Sequence, residues 1–379
     1  MKIALPSHPV EVRHKLPPLP ALTAIRFLAA LHVVLFHESH WAGHIPFFLL
    51  AARVVKSGYT AVTLFFVLSG FILAYNYEQV RSRKEFWVSR FARIYPVYLL
   101  SLLPPLLITP HWSYHPRPGV LGVVLTFCLL QAWSLPLCFS LNMAAWTLSV
   151  EAFFYAVFPF LLPRIQRLRR PAFVVIQVAY FAFLCLPSLM ALSKTMAAAG
   201  LGLAGWMESS FPLFRLNAFV LGVYAGVQFR RSARKLSGTS DSMTGRARTW
   251  GILILVGVAL ALLSTTPSPD LLPVRTGLLQ VSYALLIWML ASVQWKAVKN
   301  HVAQMAGEIS YGMYILQFPV LFAYDDFVGR LFPGATHSSP LYIAVLVCVA
   351  YGVFRWVEVP ARFFIRQALT GRPVVTRAI

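Results

Sequence analysis

Arg26 and His37 stand eleven residues apart in the first long apolar stretch of the chain, Leu22 to His40, which also holds His32. Eleven residues turn a helix three times plus about 20°, so the two side chains share a face, roughly 16 Å apart along the axis. An ionisable side chain in a bilayer costs about 3 kcal/mol on insertion scales, and such residues mark sites or ion pairs. Imidazole titrates near neutral pH and suits general-base work on an acceptor hydroxyl. The guanidinium is no base; its planar fork fits a phosphate, a carboxylate or a thioester-bearing ligand. A structural alternative for Arg26 is an intramembrane ion pair with Glu151, and for His37 a bonded residue at a helix end.

Further constellations follow in order. In F-F-V-L-S-G-F-I-L-A-Y-N-Y, Ser69 and Asn76 share a helix face, and Gly70 permits close helix approach. Arg90 and Arg93, in R-x-x-R, put two cations on one face where the chain enters the membrane. An anionic ligand at the cytoplasmic mouth and a lipid headgroup are both readings of that pair. In N-M-A-A-W-T-L-S-V-E-A-F-F-Y, Thr147, Glu151 and Tyr155 recur every four residues, and Glu151 is the lone carboxylate deep in the run. It could orient His37 or neutralise Arg26. Ser69, Tyr155 and Trp146 are candidate donors to a transition-state oxyanion. Toward the C-terminus, Ser310, Tyr311, Tyr314 and Gln317 form a polar stripe on an apolar helix, and Glu358 stands near Arg355 and Arg362.

The elements that must position these groups are membrane helices. With 58% hydrophobic and 12% charged residues over 379 positions, the composition excludes an ordinary soluble enzyme. The formal charge of +21 invites a nucleic-acid reading, but Lys and Arg cluster in short loops between apolar runs, a topology signal. No nucleic-acid partner is expected; membrane lipids are. The four cysteines lack metal-ligand or disulfide-framework spacing, and no bound metal is expected. No cleavable leader is read before the first span.

Apolar runs fall near 21–39, 58–77, 90–108, 119–135, 143–163, 171–192, 211–229, 249–265, 275–295, 309–327 and 340–358. If all eleven crossed, the basic loops at Arg164–Arg170 and Arg230–Arg248 would face outward, against the positive-inside rule. Treating the short, proline-flanked 119–135 as a re-entrant or half-depth segment repairs the pattern. The expected fold is therefore an all-α polytopic membrane protein of about ten transmembrane helices. It forms a single membrane-embedded domain over 1–379, with a cytoplasmic N-terminal segment 1–20 and a cytoplasmic tail 359–379.

Together, R-x10-H, F-F-V-L-S-G-F, R-x-x-R-I-x-P-x-Y, W-x-L-S-V-E-x-x-F-Y, I-S-Y-x-x-Y and V-E-x-P-A-R resemble, in order, the acyltransferase-3 family of integral membrane O-acyltransferases. The resemblance spans nearly the whole chain. It implies ten helices and transfer of an acyl group, often acetyl, from cytoplasmic acyl-CoA as co-substrate, with no permanently bound cofactor. The implied acceptors are hydroxyls of polysaccharides, lipid-linked sugars or secondary metabolites, and the implied location is a bacterial inner membrane. By motif match, Arg26 and His37 take the essential pair, Arg90 and Arg93 the donor-side arginines, and Glu151 the acidic position. Thr147 replaces the frequent Ser, and Gln317 stands where a His is frequent. The periplasmic hydrolase-like domain of some members is not read here.

The expected mechanism docks the CoA phosphates on Arg90 and Arg93, runs the pantetheine arm past Arg26 and delivers the thioester near His37. Substrate contacts are expected from Ser69, Trp146, Tyr155 and Asn76, with an acyl-enzyme on Ser69 as rival chemistry. The alternative function is a transporter or flippase for a glycolipid or anionic small molecule. Acceptor specificity is expected from outer loops such as 40–57, 193–210 and 328–339.

Overall fold

The computed structural model describes residues 17–38, 54–107, 119–191, 206–207, 209–236, 245–264, 272–293, 295, 298–331 and 340–371. Most of the loops at 40–57, 193–210 and 328–339 lies outside these residues, as do most of segment 1–20 and the end of the tail 359–379. The described residues are helical, with no strand among them. The helices are α1 (Pro20–His37), α2 (Ala61–Asn76), α3 (Arg83–Leu107), α4 (Val120–Phe127), α5 (Trp146–Arg167) and α6 (Arg170–Ala191). They continue as α7 (Pro212–Leu236), α8 (Gly245–Ser264), α9 (Leu272–Ser292), α10 (His301–Leu331), α11 (Pro340–Val353) and α12 (Val359–Thr370). A π-helical turn, Phe354–Glu358, joins the last two.

Counting the continuous Pro340–Thr370 rod as one, ten helical segments among the described residues have sixteen residues or more. Four combine length and apolar content enough to cross a membrane: Pro20–His37, Gly58–Asn76, Met143–Arg167 and Pro340–Thr370. Several others carry charged turns that dilute their apolar windows. The helix α3 starts at Arg83, seven residues before its apolar run, and α7 extends into Arg230, Arg231 and Arg234.

At 119–135 the chain makes only the eight-residue α4 and a short 3-10 turn, Gln131–Trp133. Eight residues span about 12 Å, less than half a bilayer's hydrocarbon core. The segment is held by α3 and α5. Tyr98 Oη donates to Thr126 O (2.5 Å), and Gln131 Nε2 donates to Ala145 O (3.0 Å). Ser149 Oγ donates to Leu129 O (2.6 Å), fixing a leucine whose φ of 60° is unusual for a residue with a Cβ. The motif serine of W-T-L-S-V-E is thus a structural clamp.

Glycines bring the main helices together. A Cβ at Gly222 of α7 would lie 1.9 Å from Val67 O of α2, and one at Gly70 would lie 2.2 Å from Phe219 O. The α2–α7 crossing is therefore backbone against backbone, as in small-residue membrane interfaces. Gly307 of α10 seats on Thr23 of α1 in the same way: an added Cβ would lie 2.2 Å from the Thr23 carbonyl oxygen. Near the start of both helices, Gln304 Nε2 donates to Pro20 O (3.3 Å), so α10 runs parallel to α1.

Candidate active site

A cavity of about 350 Å³ opens between α1, α2, α3, α5 and α10. That is at the small end of ligand pockets, ~300–1,000 Å³. Eight residues singled out from the sequence in α1, α2, α3 and α5 line it: Arg26, Ser69, Asn76, Arg90, Arg93, Thr147, Glu151 and Tyr155. From the polar stripe of α10 come Ser310, Tyr311 and Tyr314, and the remaining wall is largely apolar, including Val62, Phe65, Phe66, Ile72 and Leu148.

Three guanidiniums meet one carboxylate on this wall. Arg93 also forms an ion pair with Glu308 at 4.0 Å, while its Nη2 is buried without a hydrogen-bond partner. Arg90 Nε donates to Ser89 Oγ (3.3 Å), and its guanidinium lies 6.0 Å from the Phe86 ring centroid. Glu308 and Glu151 are the carboxylates whose charges act on Arg26. Positive charge is in excess along this wall, which suits an anionic ligand.

On Glu151, Oε1 accepts hydrogen bonds from Tyr155 Oη and from Ser69 Oγ, the latter at 3.3 Å. Both hydroxyls named as oxyanion donors therefore give their protons to the carboxylate. The third candidate, Trp146, packs edge-on against Phe66, with ring centroids 6.2 Å apart, and is not part of the cavity lining.

Two proline-freed carbonyls position this wall. Pro159 of α5 has no N–H to give to the carbonyl four residues back, and Trp87 Nε1 of α3 takes that acceptor, Tyr155 O, at 3.0 Å. Pro319 of α10 likewise frees Ile315 O, which accepts from Asn142 Nδ2 at 2.9 Å. Asn142 also donates to Ser101 Oγ (3.0 Å) and accepts from Ala144 N (3.0 Å), so one buried amide ties α3 and α10 to the start of α5.

His37 stands apart from the cavity lining. It ends α1, wedged between Phe36 and Phe318 with ring centroids 4.9 and 4.8 Å away, and its Nδ1 lies 2.9 Å from Gln317 Oε1. His32 is a tie of another kind: its Nε2 donates to Val54 O at 2.7 Å, holding the chain that leads into α2. In the C-terminal motif, Glu358 is fully buried and ion-paired with Arg362, whereas Arg355 is exposed.

Asn142, Trp87 and Glu308 escaped the sequence reading as parts of the site. A proline five or more residues inside an apolar helix was the available signal for the first two, because it announces an orphan carbonyl needing a donor. Among the described residues, no cluster of three metal-ligating side chains is present.

Comparison with known proteins matches residues 19–355 to the model of the acyltransferase-3 family, described as an acyltransferase domain. The chain is 27% identical over 320 residues to the acyltransferase MdmB of Streptomyces mycarofaciens, covering 80% of this chain and 79% of that protein. It is 25% identical over 311 residues to ORF330 of Acidianus two-tailed virus, named as a candidate acetyltransferase, covering 78% of this chain and 81% of that one. A shorter match, 41% over 86 residues, covers 21% of this chain and 40% of protein 2 in the picA locus of Rhizobium radiobacter. No solved structure matches the chain.

Proposed function

The chain belongs to the acyltransferase-3 family, and from that premise we propose that it transfers an acyl group, acetyl in the simplest case, from cytoplasmic acyl-CoA to a hydroxyl of a glycan, lipid-linked sugar or secondary metabolite. The cavity carries this reading: Arg26, Arg90 and Arg93 beside an apolar wall fit a phosphate-bearing ligand with a long, neutral arm. The nucleotide phosphates dock at Arg90 and Arg93. The pantetheine arm runs along Phe65, Phe66 and Leu148 toward the His37 end of α1.

His37 Nε2 takes the proton of the acceptor hydroxyl as its oxygen attacks the thioester carbon. The carbon–sulfur bond breaks, the acyl group stays on the acceptor oxygen, and the CoA thiolate recovers the proton from the imidazolium. Glu151 balances the arginine charge and holds Tyr155 and Ser69. Each of the ten long segments crosses the bilayer, both termini are cytoplasmic, and the membrane is a bacterial inner membrane.

The hydrogen bond from Ser69 to Glu151 favours one second reading, an acyl-enzyme on Ser69. Reconstituted protein given radiolabelled acetyl-CoA and an extract of the producing cells decides among these. Label reaching an acceptor supports transfer, whereas a transporter or flippase passes none. His37→Ala abolishes transfer on this reading, and full transfer by that variant removes His37 as the base. Acid-stable label retained on Ser69 without acceptor establishes the two-step route.

A further inference from the structure

Gln317 is 2% exposed, and every polar atom it carries is engaged. Its Nε2 donates to Tyr314 O at 2.7 Å, so the amide nitrogen is committed to the backbone one turn earlier. Its own carbonyl accepts from Tyr342 Oη of α11 at 2.9 Å. The oxygen Oε1 is thereby turned to His37 Nδ1, 2.9 Å away. An amide oxygen accepts and does not donate, so the proton of this bond belongs to Nδ1. A neutral imidazole protonated at Nδ1 carries its lone pair on Nε2, the nitrogen that a base must present. The Val33 carbonyl, which takes the backbone N–H of His37 in helix α1, keeps a second lone pair within reach of the ring.

We infer that Gln317 is a positioning residue that fixes His37 in the Nδ1–H tautomer with Nε2 free to accept a proton, an inference that rests on His37 being the base. Glutamine orients the ring as a carboxylate does in a nucleophile–base–orienter arrangement, but without a charge to stabilise the imidazolium. The base therefore stays neutral between turnovers and returns its proton readily to the departing thiolate. Among the described residues, titratable groups on the elements that meet the ring include Glu38, next in the chain, Tyr59 beside Phe36, Tyr342, whose phenol bonds the Gln317 carbonyl, and Tyr314, whose phenol turns to Ala144 O. The side-chain partner of Nδ1 is Gln317 Oε1.

The test uses full-length protein in liposomes with radiolabelled acetyl-CoA and, as acceptor source, an extract of the producing cells, with folding checked by gel filtration. Gln317→Met keeps the side-chain length and removes the acceptor. It is expected to lower kcat about 10- to 100-fold, within the ~100- to 10,000-fold that a positioned base supplies, with KM for acetyl-CoA unchanged. Gln317→Glu restores an acceptor and adds a charge, which stabilises the imidazolium. It is expected to retain more activity than Gln317→Met and to move the acidic limb of the pH–rate profile upward by about one unit. A Gln317→Met protein that folds and turns over at the wild-type rate overturns the inference. So does a folded, active Gln317→Glu protein whose acidic limb has not moved. If Gln317→Glu fails to fold, the Gln317→Met rate and KM decide alone. If Gln317→Met also fails to fold, Gln317→Asn, which keeps the amide but withdraws Oε1, decides by the same rate and KM criteria. His37→Gln separates this from the underlying reading. Full activity there removes the base itself, whereas an inactive His37→Gln beside a wild-type Gln317→Met leaves the base standing and the positioning role refuted.

Discussion

At the scale of single residues, Glu151 does two jobs that substitutions can separate. Its Oε1 accepts from Tyr155 and Ser69, and its charge faces the guanidinium wall. Glu151→Gln keeps an acceptor in place and removes the charge, whereas Glu151→Ala also strands a buried phenol. Stranding a buried donor costs about 1–3 kcal/mol. The alanine variant is therefore expected to melt lower than the glutamine variant by that much, measured in detergent by thermal unfolding, while both lose transfer activity. Equal melting temperatures would mean that the hydrogen bonds contribute nothing. Trp146 makes the opposite case. It packs on Phe66 outside the cavity lining, so Trp146→Phe is expected to leave KM for acetyl-CoA within about twofold of wild type, given that it removes no ligand contact. A rise of tenfold or more would put the indole back in the donor site. The spacing of Thr147, Glu151 and Tyr155 made their shared face legible in the sequence, because helical phase is local. Which hydroxyl spends its proton on which carboxylate was not legible, because it depends on how α2 and α5 meet.

At the scale of elements, prolines and glycines set that meeting. In α10, Pro319 leaves Ile315 O to Asn142 Nδ2. Asn142→Ala should destabilise by about 1–3 kcal/mol, since the carbonyl is buried. Pro319→Ala supplies an N–H that can recapture that carbonyl. The double variant is then expected to be less destabilised than the sum of the singles, and strict additivity in the melting energies would deny the proline–asparagine coupling. In the α2–α7 crossing, Gly222→Val places a side chain where Val67 O already stands. Overpacking of that kind typically costs about 1–3 kcal/mol, and more when backbone must move. The expected outcome is loss of monodisperse protein on gel filtration, against wild-type behaviour for Gly119→Ala, whose added Cβ meets nothing within 4 Å. Gly70 is readable from sequence as a close-approach residue. Its partner Gly222, and Gly226 against Phe71 and Ala74, are far along the chain, and only the fold brings them to α2.

At the scale of the molecule, several of the basic residues that the sequence assigns to the cytoplasm, Arg83, Arg167, Arg230 and Arg231, come together at one end of the bundle. Arg231 donates to Gln166 O, Gln166 Nε2 to Glu78 O (2.8 Å), and Arg230 Nη2 to Tyr75 O (2.7 Å), which joins the ends of α7, α5 and α2. Arg83, at the start of α3, lies 4.6 Å over the Phe160 ring of α5. Tyr75 Oη donates to Pro17 O (2.8 Å), so α1 also begins at this end. Counting along α1 at 1.5 Å per residue, Arg26 stands about 9 Å and His37 about 26 Å from Pro20. The arginine is thus near the basic end and the histidine near the opposite end, the order that a cytoplasmic donor and an outer acceptor require. The proposed orientation takes the basic end as the cytoplasmic one, as the positive-inside rule has it. Lys56 is exposed beside the turn that packs on His32 and Phe36, and Arg167 ends α5 at the basic face. In a background with Cys128, Cys138, Cys185 and Cys348 replaced by serine, Lys56→Cys is expected to react with a membrane-impermeant maleimide added outside intact spheroplasts. Arg167→Cys is expected to react only after permeabilisation. The reverse pattern would invert the orientation and leave His37 on the donor side, where a single-face relay from phosphate mouth to acceptor hydroxyl has no direction to run.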